Sequence, residues 1–198
     1  MKFKFPHTYP LKNGQTVTID LLKSSDYKDV HNFFGRLTDN DREYLKYDVS
    51  NLEFVRDRMA GIDQKTRISI SARNADGLIV GESTVYWTQF GWKSHIGKLR
   101  IVVDKDYRGF GLSRYLAQLI FFKAQQLGLS KIIAEFVPLQ AAAGHILGEL
   151  GLKKVAVLPG FAIDKKNNKH DIVVMAADLE NLLEKYENMI MDDEHKGG

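Results

Sequence analysis

The sequence predicts an α/β domain in three layers, a mixed sheet with an antiparallel start, at least one strand–helix–strand crossover, and helices on both faces. Three observations carry this. An apolar strand pattern, Leu99, Ile101, Val102 and Val103, runs through a charged turn into the glycine-spaced Arg108-Gly109-Phe110-Gly111 and then an amphipathic helix. That helix stops at Gly128, and the short β-rich run Lys131 to Val137 follows. Upstream, Asn74-Ala75-Asp76-Gly77 joins two β-rich runs, a strong hairpin signal.

In order, Thr16 to Leu21 alternates as a first strand after the turn Lys12-Asn13-Gly14. Ser24-Ser25-Asp26 caps a helix carrying Val30, Phe33, Phe34 and Leu37. Asp39 to about Ile62 is a second, less regular helical region, rich in charge and tyrosine. Arg67 to Arg73 and Leu78 to Thr88 are the hairpin strands, Gln89 to Ser94 is a loop, and Ile96 to Val103 is the strand that leads into the glycines. Leu112, Tyr115, Leu116, Leu119, Ile120 and Leu127 share one face of the next helix. After Lys131 to Val137, Pro138 opens a helix to Leu150, ended by Gly151. Lys153 to Leu158 and Asp171 to Met175 are the last strands, separated by a polar loop containing Asp164 to Asn168. Leu179, Leu182, Leu183, Tyr186, Met189 and Ile190 give a final amphipathic helix over 179–191, and 192–198 is a tail. No repeat, linker or low-complexity segment divides the chain, so 1–198 is expected to be one domain with its core over about 14–179.

Composition narrows the function. At 198 residues, 44% hydrophobic and 27% charged, the chain is globular in type and long enough for a sizeable core. The absence of cysteine removes thiolate nucleophiles and the common zinc sites, so neither an acyl-cysteine route nor a metal is expected. The N-terminus, broken by Pro6 and Pro10, has no apolar core of a signal peptide, and no apolar run approaches the roughly 18 residues of a membrane span. A cytoplasmic protein with no membrane partner is expected. The net charge of +3 does not indicate nucleic acid. Its distribution says more: Lys98, Arg100, Lys105, Arg108, Arg114 and Lys123 face only Asp104 and Asp106 between His95 and Leu127. A polyanionic ligand would require such focusing.

The glycine stretch reads as a phosphate cradle. Glycine lets backbone N–H groups approach a ligand closely, and the first turn of a helix carries unpaired N–H groups and partial positive charge. A dinucleotide fold would need a third glycine where Arg114 stands, and the P-loop pattern is absent.

The order of these elements resembles the GNAT family of acyl-coenzyme A N-acyltransferases. Ile101-Val102-Val103-Asp104 and Arg108-Gly109-Phe110-Gly111-Leu112-Ser113, set against that family's R/Q-x-x-G-x-G/A signature, carry the resemblance. It continues through Ala134-Glu135-Phe136-Val137, the helix ending Leu150-Gly151-Leu152, and Asp171 to Met175. Within the family, Asn13-Gly14 with Thr16 to Leu21, and Phe33 to Thr38, resemble the branch that includes bacterial protein-lysine acetyltransferases. The resemblance implies a sheet of about six or seven strands splayed between its fourth and fifth, here Ile96 to Val103 and Lys131 to Val137. It implies an acetyl group moved directly from acetyl-CoA, the cosubstrate, to a small-molecule or lysine amine in a ternary complex. Ile101, Val102 and Val103 would offer backbone groups to the pantetheine arm. Arg108, Gly109, Phe110, Gly111, Leu112, Ser113 and Arg114 would hold the pyrophosphate, and Gln140 stands where many members have an asparagine near the pantetheine. The last helix or an edge strand could build a homodimer.

Three positions depart from the family pattern. Ser113 replaces the last small residue of the signature and keeps its N–H. Leu147 stands where many members place a tyrosine acid, and Lys98 where the branch often has a glutamate base. Tyr44, Tyr47, Tyr86 and Tyr107 are replacement acids by type, while His95, His145 and His170 stand isolated and point to no catalytic role.

The chemistry needs a base, since an amine of pKa near ~10.4 is protonated at neutral pH. Glu135, a carboxylate in the middle of an apolar strand, is the first candidate; the alternative is a buried ion pair with Lys98 or Arg100 across the splay. Glu82, on the Glu82-Thr84-Tyr86 face of its strand, is the second, or else faces solvent. Lys98 and Arg100 share a strand face and would bind a carboxylate or phosphate on the substrate if they line the acceptor cleft. A non-enzymatic alternative shares the ligand: a GNAT-fold sensor or regulatory module that binds acyl-coenzyme A, its base lost to Lys98.

Overall fold

The computed structural model describes residues 3–43, 45, 49–63, 65–164, 166–184 and 186. Strands β1 (His7–Pro10) and β2 (Thr16–Leu21) precede helices α1 (Tyr27–Arg36), α2 (Asp39–Glu43) and α3 (Leu52–Met59). Then come β3 (Arg67–Arg73), β4 (Ile79–Tyr86), β5 (Ile96–Val103), α4 (Leu112–Gln126), β6 (Lys131–Phe136), α5 (Ala141–Glu149), β7 (Lys153–Ile163) and β8 (Lys169–Asp178). The strands form one sheet in the order β1-β2-β3-β4-β5-β6-β8-β7.

Every neighbouring pair is antiparallel except β5 and β6, which are parallel and joined by the α4 crossover. That parallel pair holds for only Ile96 with Lys131, Gly97 with Ile132 and Lys98 with Ile133. Beyond it β5 continues on β4 to Val103, and β6 continues on β8 to Phe136, without meeting each other. The expected splay between Ile96 to Val103 and Lys131 to Val137 is therefore present.

The two faces of β5 pack into different cores. Leu99 and Val103 point into one core with Leu116, Leu119, Ile120 and Phe121 of α4, while Val102 packs against a second core with Phe33, Phe34, Val55 and Met59. Full burial of each such side chain stabilises the fold by about 1.5–3 kcal/mol. The start of α4 lies close on the sheet: a Cβ on Gly81 of β4 would sit 3.1 Å from Leu116 and 3.2 Å from Leu112. Glycine at that point lets the helix N-terminus approach β4, which fixes the glycine loop just before it.

The structure corrects several expectations. An eighth strand, β1, lies at the sheet edge, so the strands that splay are the fifth and sixth. Pro10 is tolerated there because an edge strand has N–H groups with no ladder partner to lose. The Asp39 to Ile62 region breaks into α2 and α3, and Asn51 caps α3 by accepting from Phe54 N–H. Ser24 to Asp26 form a 3-10 turn rather than a serine cap, with Asp26 accepting from Lys23 N–H. Strands β7 and β8 run well past Leu158 and Met175, to Ile163 and Asp178. Leu127 is half exposed beyond the end of α4, whereas Phe121 and Phe122 are buried. Residues 179–184 and 186 are helical, with Tyr186 donating to the Leu150 carbonyl; the rest of the expected final helix and the tail lie outside the described residues.

Candidate functional site

The glycine loop meets the open end of the splay. Gly109 and Gly111 take φ of 81° and 89°, a region side chains rarely adopt, and Gly111 is the N-cap of α4. The first bond of the helix comes from Tyr115 N–H to the Gly111 carbonyl. Among the described residues, none of the N–H groups of Gly109, Phe110, Gly111, Leu112, Ser113 and Arg114 has a backbone partner. The positive end of a fifteen-residue helix adds to them. The loop is braced from behind by Lys12 N–H, which donates to the Phe110 carbonyl.

Arg108, expected at the pyrophosphate, has two partners within the protein. Its Nε donates to the Val103 carbonyl at 2.9 Å and its Nη2 to Asp41 of α2 at 2.7 Å. Burial would raise the Asp41 carboxyl, but the hydrogen bonds from Arg108 and Thr38 hold it below the usual carboxylate range. In this arrangement Arg108 ties α2 to the end of β5, and Asp41 holds the guanidinium that the family resemblance assigns to pyrophosphate. Asp41→Asn is expected to tighten coenzyme A binding by less than about tenfold, the scale of a half-exposed ion pair. Calorimetric titration checks this, and weaker binding would show that Asp41 supports the loop instead.

Along the splay, Ile101, Val102 and Val103 have backbone edges that no strand of β6 covers. Gln140 precedes α5 and turns back on Val137: its N–H donates to the Val137 carbonyl, and its Oε1 accepts from Val137 N–H at 3.3 Å. Leu147 is buried in the core with α4, so α5 presents no acid at that position.

The polar side chains of β3, β4 and β5 occupy the sheet face under α1 and α3, because Arg67, Ser69 and Ser71 stand opposite Tyr86, Thr84 and Glu82, and Thr84 stands opposite Arg100. Glu82 does not face solvent: it is 1% exposed. Its Oε2 accepts from Arg100 at 2.7 Å, and its Oε1 accepts from Arg67 at 3.2 Å and from Thr84 at 2.8 Å. Arg100 also lies over the Phe34 ring at 4.8 Å. Burial alone would raise the Glu82 carboxyl, yet Arg100 and then Arg67 hold it below its ordinary value. Burial pushes Arg67 down to about 10, still charged at neutral pH. A carboxylate with its lone pairs so occupied is a poor proton acceptor. Arg100 is committed to Glu82, while Lys98 is exposed.

On the far side of the splay, β6, β8 and the β7–β8 hairpin bound a cleft of about 870 Å³, its open mouth included. Glu135 lines it, with Phe136, Phe161, Ile163 and Ile172 as apolar walls and Gln140 at one end. Leu45 closes the α2 side. His170 and Asp164 line the same cleft, the imidazole Nε2 lying 2.9 Å from Asp164 Oδ2. Asp164 further accepts from the N–H groups of Lys166 and Asn168 and from Asn168 Nδ2. These bonds, His170 first, hold its carboxyl far below the usual range.

Two groups of residues thus come together that the sequence did not join. His170 and Asp164 meet only because Ala162 pairs with His170 across the hairpin. Arg67 could have been found: the polar stripe Arg67-Ser69-Ser71 alternates with Ile68, Ile70 and Ala72 on a strand joined by a recognised hairpin to the one carrying Glu82 and Thr84. Of the tyrosines, Tyr107 packs against the α4 core and Tyr86 lies beside Arg58, whereas Tyr44 and Tyr47 lie outside the described residues. His95 is exposed and His145 sits on the surface near Glu149. Among the described residues no cluster could hold a metal ion, and no helix is long and apolar enough to cross a membrane.

No family model and no curated protein matches the chain. Solved structures do. The GNAT domain of PAT from S. lividans superposes with a TM-score of 0.72 at 16% identity, covering 89% of this chain and 99% of that one. Ribosomal-protein-S5-alanine acetyltransferase from Vibrio fischeri matches with a TM-score of 0.71 at 18% identity, over 89% of this chain and 98% of that one. The structure of yncA from Salmonella typhimurium, solved with its cofactor acetyl-CoA, matches with a TM-score of 0.70 at 17% identity, over 82% and 94% of the two chains. At these identities the likeness is one of fold.

Proposed function

From a chain that has the GNAT acetyltransferase fold, we propose an N-acetyltransferase that moves an acetyl group from acetyl-CoA to a primary amine in a ternary complex. One observation carries this proposal: the edge of β5 that β6 leaves uncovered runs into a loop whose N–H groups, from Gly109 to Arg114, have no backbone partner among the described residues. Such an arrangement suits a ligand with an extended amide-bearing arm and a pyrophosphate, and the fold neighbour solved with acetyl-CoA supports it.

In the proposed complex the pyrophosphate lies on the Gly109 to Arg114 amides, and the arm hydrogen-bonds the free edge of Ile101 to Val103. A β5 N–H steadies the thioester oxygen as it gains charge. The acceptor amine enters from the cleft beyond the splay, where Glu135 draws in its ammonium and accepts a proton, directly or through a water. The departing thiolate has a pKa of about 8.5, so no dedicated acid is needed, which fits the burial of Leu147. Acetyl-CoA with a panel of amines, polyamines, amino acids and lysine peptides should release free thiol.

Glu135→Gln is expected to lower kcat/KM for the amine by about 10- to 100-fold while leaving coenzyme A affinity unchanged, with the loss shrinking at high pH as the amine deprotonates unaided. Initial rates of thiol release across pH test it; an unchanged profile removes Glu135 from the reaction. Exposed Lys98 at the family's base position favours a second reading, an acyl-coenzyme A-binding regulatory module. Tight binding without thiol release from any acceptor would select it.

A further inference from the structure

We propose that His170, oriented by Asp164, is a second proton acceptor for the amine in the cleft, an inference that rests on the acetyl-transfer reading above. The chemistry asks for more than Glu135. A carboxylate is a much weaker base than an alkyl amine, and an imidazole lies closer to it in basicity. Moving the proton to imidazole is therefore the less uphill step.

The hairpin geometry suits that task. Asp164 is ionised and can only accept, so the 2.9 Å contact requires His170 Nε2 to carry the hydrogen. In the neutral ring the lone pair is then on Nδ1, and the residue lines the cleft together with Glu135. Asp164 in turn accepts from the Lys166 and Asn168 N–H groups at 2.8 Å each, which fix the carboxylate beside the ring. Among the described residues, Glu135, Asp164 and His170 are the titratable groups that line the cleft. Both carboxylates stabilise a positive charge on the imidazole once it takes the proton.

The ammonium gives one proton to His170 Nδ1, and the freed nitrogen lone pair forms a bond to the thioester carbonyl carbon. As the C–S bond breaks, its electron pair leaves on sulfur. The second proton, lost from the nitrogen as the amide forms, ends on the thiolate, and His170 returns the first to solvent.

The test uses the full chain with acetyl-CoA and the panel amine acetylated fastest. His170→Gln should lower kcat by about 100-fold and remove the acid limb of the kcat–pH profile, with coenzyme A affinity and thermal midpoint retained. Asp164→Asn, a change in a positioning residue, should displace the same limb. An unchanged limb in both variants overturns the proposal. Nitrogen-15 spectra of histidine-labelled protein saturated with coenzyme A give a readout free of turnover. The His170 signals should show Nδ1 unprotonated and move on addition of n-butylamine; Nδ1 protonated, or no movement at saturation, overturns it. Movement without acetylation of any amine would sink the transfer reading and leave the contact between His170 and the amine standing.

Discussion

Gly111→Asp is expected to raise the dissociation constant of coenzyme A by at least about 100-fold while the protein stays folded. At φ of 89° the new residue occupies a conformation that costs about 1–2 kcal/mol, and aspartate is among the side chains that tolerate it best. Space is available, since the nearest atom to a Cβ there is Lys12 Cε at 3.7 Å. The damage falls on the ligand instead. A carboxylate takes up N–H groups at the start of α4 and sets a negative charge where the pyrophosphate would lie. Titration calorimetry with coenzyme A, alongside thermal unfolding, separates the two effects. Undiminished affinity would move the pyrophosphate elsewhere; a collapse of the fold would make the loop a structural element first.

Glu82→Ala should produce the largest loss of stability of any change discussed. The substitution leaves Arg67 and Arg100 facing each other without their shared carboxylate, and Arg67 is 6% exposed. Removing one partner of a buried ion pair costs about 3–5 kcal/mol, here a fall in the thermal midpoint of roughly 6–20 °C. The same group gives an acid dependence with a definite sign. Because the folded carboxyl lies below its unfolded value, its contribution is fully present above about pH 4.3 and is lost as pH falls through the folded pKa. Denaturant titrations at pH 7 and below pH 4 should therefore show the wild-type chain approaching the variant on acidification. A midpoint unmoved by Glu82→Ala would mean that the two arginines find other partners.

What the sequence disclosed and what it hid follow from distance along the chain. The crossover from β5 through α4 to β6 was legible because its signals are local: glycines at the turn, apolar spacing on the helix, a glycine stop. The splay was legible only through the family resemblance, since nothing in Ile101 to Val103 by itself says that its neighbour strand turns away. Glu82 looked like a solvent face because alternation on one strand cannot show that α1 and α3 cover it. Arg108 was expected to meet phosphate; its pairing with Asp41 spans 67 residues and depends on how α2 lies against the sheet. His170 needed the register of a long hairpin, which β-propensity alone does not fix. The eighth strand hid behind Pro6 and Pro10, which end strands in most settings but are accepted at an edge.

The edge strand carries a thermodynamic coupling. Tyr9 of β1 stacks on Tyr115 in the first turn of α4 at 3.6 Å, His7 Nε2 lies 2.7 Å from the Tyr115 hydroxyl, and Lys12 holds the Phe110 carbonyl. The N-terminal hairpin and the glycine loop therefore share contacts, and a free energy change at one is felt at the other. Local opening of β1 loosens the loop, so a ligand bound there suppresses that opening. Backbone amides of residues 8, 9 and 11–18, none of which need touch the ligand, become reporters of whether the loop is filled.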